Sequence, residues 1–257
     1  MNAGSIIDKK RLMMEASLYP DVPITVHPLA SRVLQKDVET EASMHSRIGS
    51  TSKGTGAAQA SKIMRDPNAV MMGAKESHLY KVDSFSAVNS DMTNVFVEVS
   101  QGYSLSLNSA PFYPYCTSRD CTVSQAMSDA GLHPTDFGGA MMVVRTYPIR
   151  VHGQSGGCYV DQKEIDWLDI GVEPELTTVT QKQRRIFTWS DVQFLEALRA
   201  NRPNMLMINF LNYLPDHKVD PFIKNVLSQY HRVMGQNPDL VLGGWGPYNS
   251  NVHVIPV

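Results

Sequence analysis

Cysteine is scarce in this chain, and long apolar runs are missing altogether. Only Cys116, Cys121 and Cys158 occur in 257 residues, an odd number without the paired spacing of a metal site or a disulfide framework. Reduced, partly buried thiols in a cytoplasmic protein are the expectation. No segment approaches the roughly 20 apolar residues of a membrane helix, and the N-terminus carries no secretory signal pattern. An excess of charge of one sign is also absent. Twenty-three basic and 25 acidic side chains leave a formal charge of −2, which argues against nucleic acid or an anionic membrane as the main partner. Internal repeats are not found. His-x3-His, Cys-x2-Cys and Gly-x-Ser-x-Gly patterns are missing, and the eight histidines are scattered, so a single histidine reads as structural rather than catalytic.

What is present is glycine and hydroxyl, concentrated in residues 47–65. Gly49, Gly54 and Gly56 stand among Ser50, Thr51, Ser52, Thr55 and Lys53, and an Ala-rich segment follows. Glycines let a backbone take positive φ and approach a ligand, and free amides at a helix start favour an anion. The loop is not a Walker A loop, because Gly49-x4-Gly54 is followed by Thr55 where a lysine is required. It therefore suggests a phosphate site without an NTPase signature, weighed evenly against a plain flexible connection.

Hydrophobic spacing predicts helices over 6–18, 29–46, 57–64, 122–130 and 219–233. Strands are expected at 22–26, 94–99, 140–144, 205–209, 240–242 and 252–255, with 94–99 read as a buried strand. Alternating strands and helices indicate an α/β fold with a mainly parallel sheet and flanking helices. Ligands in such sheets bind beyond the carboxyl ends of strands, here the loops after Val99, Asn209 and Leu242. Gln101 in the first of these loops can both donate and accept hydrogen bonds. Thr117 and Ser118 precede a helix and suit either phosphate or simple capping. Lys182, Arg184 and Arg185 form a basic cluster fit for carboxylates or phosphates, or for solvent. Gly243-Gly-Trp-Gly-Pro247 is a further glycine-rich turn after a strand.

Taken in order, these segments resemble the adenylosuccinate synthetase family over nearly the whole chain, 1–257 read as one domain. The resemblance rests on Ile48-Gly-Ser-Thr-Ser-Lys-Gly-Thr-Gly-Ala-Ala58, Glu98-Val-Ser-Gln-Gly102 and Tyr113-Pro-Tyr-Cys-Thr-Ser118. It is extended by Pro148-Ile-Arg-Val151, Thr178-Val-Thr180 with Arg184-Arg185, and Gly246-Pro247. It implies the P-loop-NTPase-like fold of that family. The implied activity is a ligase joining L-aspartate to a 6-oxopurine nucleotide, IMP or dGMP, at the expense of a nucleoside triphosphate. Ser50, Thr51, Gln101 and Thr117 would hold the substrate nucleotide, Arg65 would reach it from the second subunit of a homodimer, and Val151 would lie near its sugar. Thr180 and Lys182 would bind aspartate. Arg184, Phe210, Asn212, Gly244 and Gly246 would serve the donor nucleotide, with Mg2+ as the implied metal.

Departures from the family sharpen this picture. Gln181 and Gln183 replace arginine or glycine in the basic run. Asn209-Phe-Leu-Asn212 stands where the family reads guanine with an aspartate. An amide donates as well as accepts, as adenine's edge requires, so Asn212 tilts the donor from GTP toward ATP or dATP, with Phe210 able to stack on the base. That favours the phage aminoadenylosuccinate synthetase branch. The family's leading strand, its Gly-Asp-Glu-Gly-Lys-like loop and its histidine acid have no counterpart in this sequence. A fragment or late start, a split enzyme with a separate N-terminal chain, and a noncatalytic binding or decoy relative all fit, the first being favoured. An exposed sheet edge, and a chain 1–257 that alone is poorly stable or partner-dependent and inactive as a ligase, are the corresponding expectations.

Overall fold

The computed structural model describes residues 1–44, 48–73, 78–83, 94–178 and 181–257. They form two compact units, one of 1–110 and 116–137, the other of 111–115 and 138–257.

In the first unit, β1 (Ile6–Ile7) leads into α1 (Lys9–Leu18), whose start is capped by Asp8 accepting from the amides of Lys10 and Arg11. β2 (Thr25–Val26), β3 (Ser31–Arg32), α2 (Gln35–Met44), α3 (Thr55–Ile63) and β4 (Lys81–Val82) follow. The strands form two parallel pairs, β1 with β3 and β2 with β4. Ile7, Leu12, Val26, Ala30, Met72 and Tyr80 make the core, each fully buried apolar side chain of this size contributing roughly 1.5–3 kcal/mol. α2 packs on α3, and α3 on β1 and β3. α4 (Val123–Ala130) closes the unit, capped by Thr122 at its start and by left-handed Gly131 at its end.

The second unit is built on β5 (Met141–Arg145), β9 (Met205–Asn209), β10 (Leu240–Gly244) and β11 (Val252–Val254), in the order β11-β10-β9-β5. β5, β9 and β10 run parallel, and β11 is antiparallel to β10. α5 (Asp191–Asn201) and α6 (Asp216–Met234) connect the parallel strands and pack together. Leu206, Ile208 and Val241 project from the sheet onto Phe194 and Leu198 of α5 and Ile223, Val226 and Tyr230 of α6. The α6 residues recur at helical spacing, so one stripe of that helix is buried. A second sheet is antiparallel, with β8 (Arg185–Phe187) between β6 (Ile149–Arg150) and β7 (Glu164–Ile165).

The fold is α/β with a mainly parallel principal sheet, as expected. The helices expected at 6–18, from apolar spacing, and at 29–46, as a polar-faced helix, begin later than expected, because Ile6–Ile7 and Ser31–Arg32 are used as strands. The buried strand expected at 94–99 is a correction. That segment belongs to no ladder and is exposed throughout, with Phe96 96% accessible. An apolar run becomes a buried strand only when neighbours pair its amides and cover its faces, and none of the described strands does so.

Candidate nucleotide site

The glycine loop of the first unit is organised around a carboxylate. Glu41, 5% exposed on α2, accepts from Gly54 N at 2.7 Å through one oxygen, and from Gly56 N at 2.5 Å and Ala57 N at 3.2 Å through the other. The amides at the start of α3 are therefore taken by the protein itself, which corrects the expectation that they are free for an anion. Gly54 has φ +77°, and a Cβ there would meet the Val38 amide nitrogen at 2.8 Å. A Cβ on Gly56 would lie 2.9 Å from the Glu41 carboxylate and 3.2 Å from Ser118 Cβ. Both positions need glycine, one for conformation and space, the other for space alone.

The remaining hydroxyls sit on the rim of this loop. Thr51 is exposed, and Ser50 Oγ accepts from Ser52 N at 3.1 Å. Gly56 against Ser118 brings the 50–56 loop beside the 117–118 turn, where Thr117 N donates to Leu105 O at 2.7 Å. Arg65 is exposed with φ +54°, and Gln101 is exposed with φ +76°. Neighbouring Lys62 is committed elsewhere, its ammonium donating to Ala3 O and Leu29 O, both at 2.6 Å. Burial lowers the pKa of that lysine.

In the second unit, Arg145, Asn209 and Gly244 end three adjacent strands, Arg145 standing opposite Asn209. Asn209 Oδ1 accepts from Phe210 N at 2.9 Å, and Phe210 takes a left-handed φ of +62°. A Cβ on Gly244 would meet that same Asn209 oxygen at 2.4 Å, so glycine is what lets β10 pass the end of β9. The Arg145 guanidinium lies 3.8 Å from the Phe210 ring centroid. It also pairs with Glu175 at 2.5 Å, and Tyr213 OH donates to Glu175 at 3.1 Å. Burial first, then the Glu175 charge, raises the Tyr213 pKa. Arg145, Glu175 and Tyr213 escaped the sequence reading, since nothing in a strand pattern announces that its last residue covers an aromatic ring. Asn212 is exposed in the turn Leu211–Tyr213. Gly246 faces Asn251, whose Oδ1 would be 2.6 Å from an added Cβ.

The basic run is a hairpin in which Leu176 bridges Gln183. Lys182 is exposed, while Arg184 Nε donates to Leu176 O at 3.3 Å. Arg185 is bound to Glu164 at 2.6 Å and to Gly156 O at 2.7 Å. Thr180 lies outside the described residues. The Val151 carbonyl accepts from Ser155 Oγ at 2.6 Å, and an open cleft of about 380 Å³ is lined by Tyr115, Gly153, Gln154, Gly156 and Arg185, without Val151. No helix of the described residues is long and apolar enough to cross a membrane.

The family model for adenylosuccinate synthetase matches residues 68–220. The N6-succino-2-amino-2'-deoxyadenylate synthase of Salmonella phage PMBT28 is 38% identical over 98% of this chain and 76% of its own length. The enzyme of the same name from Cyanophage S-2L is 40% identical over 100% of this chain and 74% of its own. The solved structure of the S-2L succinoaminodeoxyadenylate synthetase, bound to dGMP and to dATP as an energy donor, superposes with a TM-score of 0.86 at 33% identity, covering 100% of this chain and 76% of that one. Adenylosuccinate synthetase from Plasmodium falciparum shares the fold, with a TM-score of 0.69 at 14% identity over 99% of this chain and 84% of its own. The chain belongs to the adenylosuccinate synthetase family.

Proposed function

We propose that this chain belongs to a purine-nucleotide ligase that joins L-aspartate to dGMP with dATP or ATP as donor. The observation that carries this reading is the superposition, over the entire chain, on a synthetase bound to dGMP and dATP. In the proposed reaction the terminal phosphoryl group passes to O6 of the guanine, breaking the β–γ phosphoanhydride bond. The aspartate amine then forms the C6–N bond as the C6–O bond breaks, and phosphate leaves.

The chain's own residues bind and orient in this scheme. Ser50, Thr51, Gln101 and Thr117 hold the dGMP phosphate, and Arg65 completes it from a second copy in a homodimer. Val151 lies by the sugar. Thr180 and Lys182 take the aspartate carboxylates, with Arg184 toward the triphosphate. Asn212 reads the donor base, and Gly244 and Gly246 allow the donor close to the backbone. Arg145 over Phe210 supports a refinement of the stacking role: one face of that ring is already covered, so a base would use the other face or the edge. Among the described residues no three His, Cys, Asp or Glu side chains gather as a metal cage.

An IMP-using reading draws on the adenylosuccinate synthetase of Pyrococcus horikoshii, 32% identical over 67% of this chain and 50% of its own length. Asn212 favours the adenine-donor branch over it. Titration calorimetry with dGMP, IMP, dATP and GTP distinguishes the two: dGMP and dATP bind on the proposed reading, IMP and GTP on the other. Thr51→Ala should weaken dGMP roughly tenfold, the usual effect of losing a hydrogen bond to a charged group. An unchanged affinity would remove Thr51 from the site.

A further inference from the structure

The buried carboxylate of Glu41 is unexplained by the ligand-binding roles above. It lies beneath the loop assigned to the substrate phosphate and accepts from three backbone donors at the start of α3, those of Gly54, Gly56 and Ala57. Gly56 is held between this carboxylate and Ser118, with no room for a Cβ. An anion that approached the start of α3 would find its amides occupied and a buried negative charge behind them. The side chains on the rim, not the helix terminus, must then do the binding.

We propose that Glu41 is a positioning residue for the dGMP phosphate: by occupying the α3 terminus it fixes the 50–56 loop against Ser118, so that the Ser50, Thr51 and Thr117 hydroxyls converge on the ligand. This rests on the reading of that loop as the substrate-phosphate loop. The chemistry requires a carboxylate. Both oxygens accept, one from Gly54 and the other from Gly56 and Ala57, whereas a glutamine would turn an N–H donor toward one of these amides.

The test compares wild type with Glu41→Gln by calorimetry using dGMP and deoxyguanosine, and by amide hydrogen exchange. In wild type, the amides of Gly54, Gly56 and Ala57 exchange slowly. Glu41→Gln speeds their exchange and weakens dGMP roughly tenfold, with deoxyguanosine binding unchanged. Fast exchange of these amides in wild type overturns the proposal, as does an equal weakening of both ligands, which marks a merely structural carboxylate. Gly56→Ala, which keeps Glu41 but crowds it, gives the same loss of phosphate preference and serves if the glutamine variant does not fold. A wild-type chain that binds neither dGMP nor IMP overturns instead the assignment of the loop to a substrate nucleotide. Unaltered dGMP affinity in a variant with fast-exchanging amides defeats the positioning role alone.

Discussion

Two glycines and a carboxylate show how single residues decide what these loops can do. Gly244 is buried, and an added Cβ would sit 2.4 Å from Asn209 Oδ1, a contact that only a shift of β10 or loss of the Asn209–Phe210 hydrogen bond could relieve. Gly244→Ala should therefore lower stability by about 1–3 kcal/mol, the range for overpacking a filled site. Thermal unfolding measures that loss, and calorimetry should show weaker dATP binding, since Phe210 depends on the same asparagine for its backbone conformation. A stable variant with wild-type affinity would show that the strand ends adapt freely. Glycine content alone pointed to these turns in the sequence. Which atoms crowd each glycine was not legible there, because the crowding comes from residues 35 positions away at Asn209 or 62 away at Ser118. Glu41 was hidden for the same reason: a polar helical face reads as solvated until a partner loop is folded over it.

At the level of elements, patterns that carry their own partners were legible and patterns that need distant ones were not. The stripe of Ile223, Val226 and Tyr230 belongs to one helix and appears as expected. Residues 94–99 have the composition of a buried strand but no pairing neighbour among the described strands, so composition alone misled. The small antiparallel sheet went unpredicted because its strands are only two or three residues long. Its stability should depend on pH through Glu164 and Arg185, which pair diagonally between β7 and β8, Glu164 itself standing opposite Phe187. Hydrogen bonds from the guanidinium hold the Glu164 carboxyl below its ordinary range. The pair thus stabilises the fold above the ordinary glutamate pKa, about 4.3, and that contribution is lost as pH falls through the depressed folded value. Because the glutamate is 44% exposed, the effect should stay below about 1 kcal/mol. Denaturant midpoints measured on the acid side should fall less steeply for Glu164→Gln than for wild type, and parallel curves would assign the acid sensitivity elsewhere.

Across the whole molecule, the proposed contacts to the substrate phosphate and to the donor nucleotide fall in different units, with Val151, proposed for the substrate sugar, in the second. Ser50, Thr51, Arg65, Gln101 and Thr117 belong to the first, whereas Phe210, Asn212, Gly244 and Gly246 belong to the second. The order of motifs along the chain separated substrate from donor residues but not the units, since 1–257 was read as one domain, while composition, nearly neutral and poor in metal-ligand patterns, carried none of it. Hydrogen exchange followed by mass spectrometry turns the division into a prediction. dGMP should slow exchange over 50–57 and 116–118 first, and dATP should slow it over 209–213 and 243–246. The two footprints have different physical sources. On the proposed reading, a monophosphate draws on hydroxyls over the loop held by Glu41, while an adenine base uses the ring of Phe210 and the amide of Asn212 beyond the carboxyl end of β9. Protection of 50–57 by dATP alone would reverse the assignment of substrate and donor. Protection of both regions by either nucleotide would instead mean that ligand binding in one unit stabilises the other, an energetic coupling whose size calorimetry with the second nucleotide already bound would measure directly.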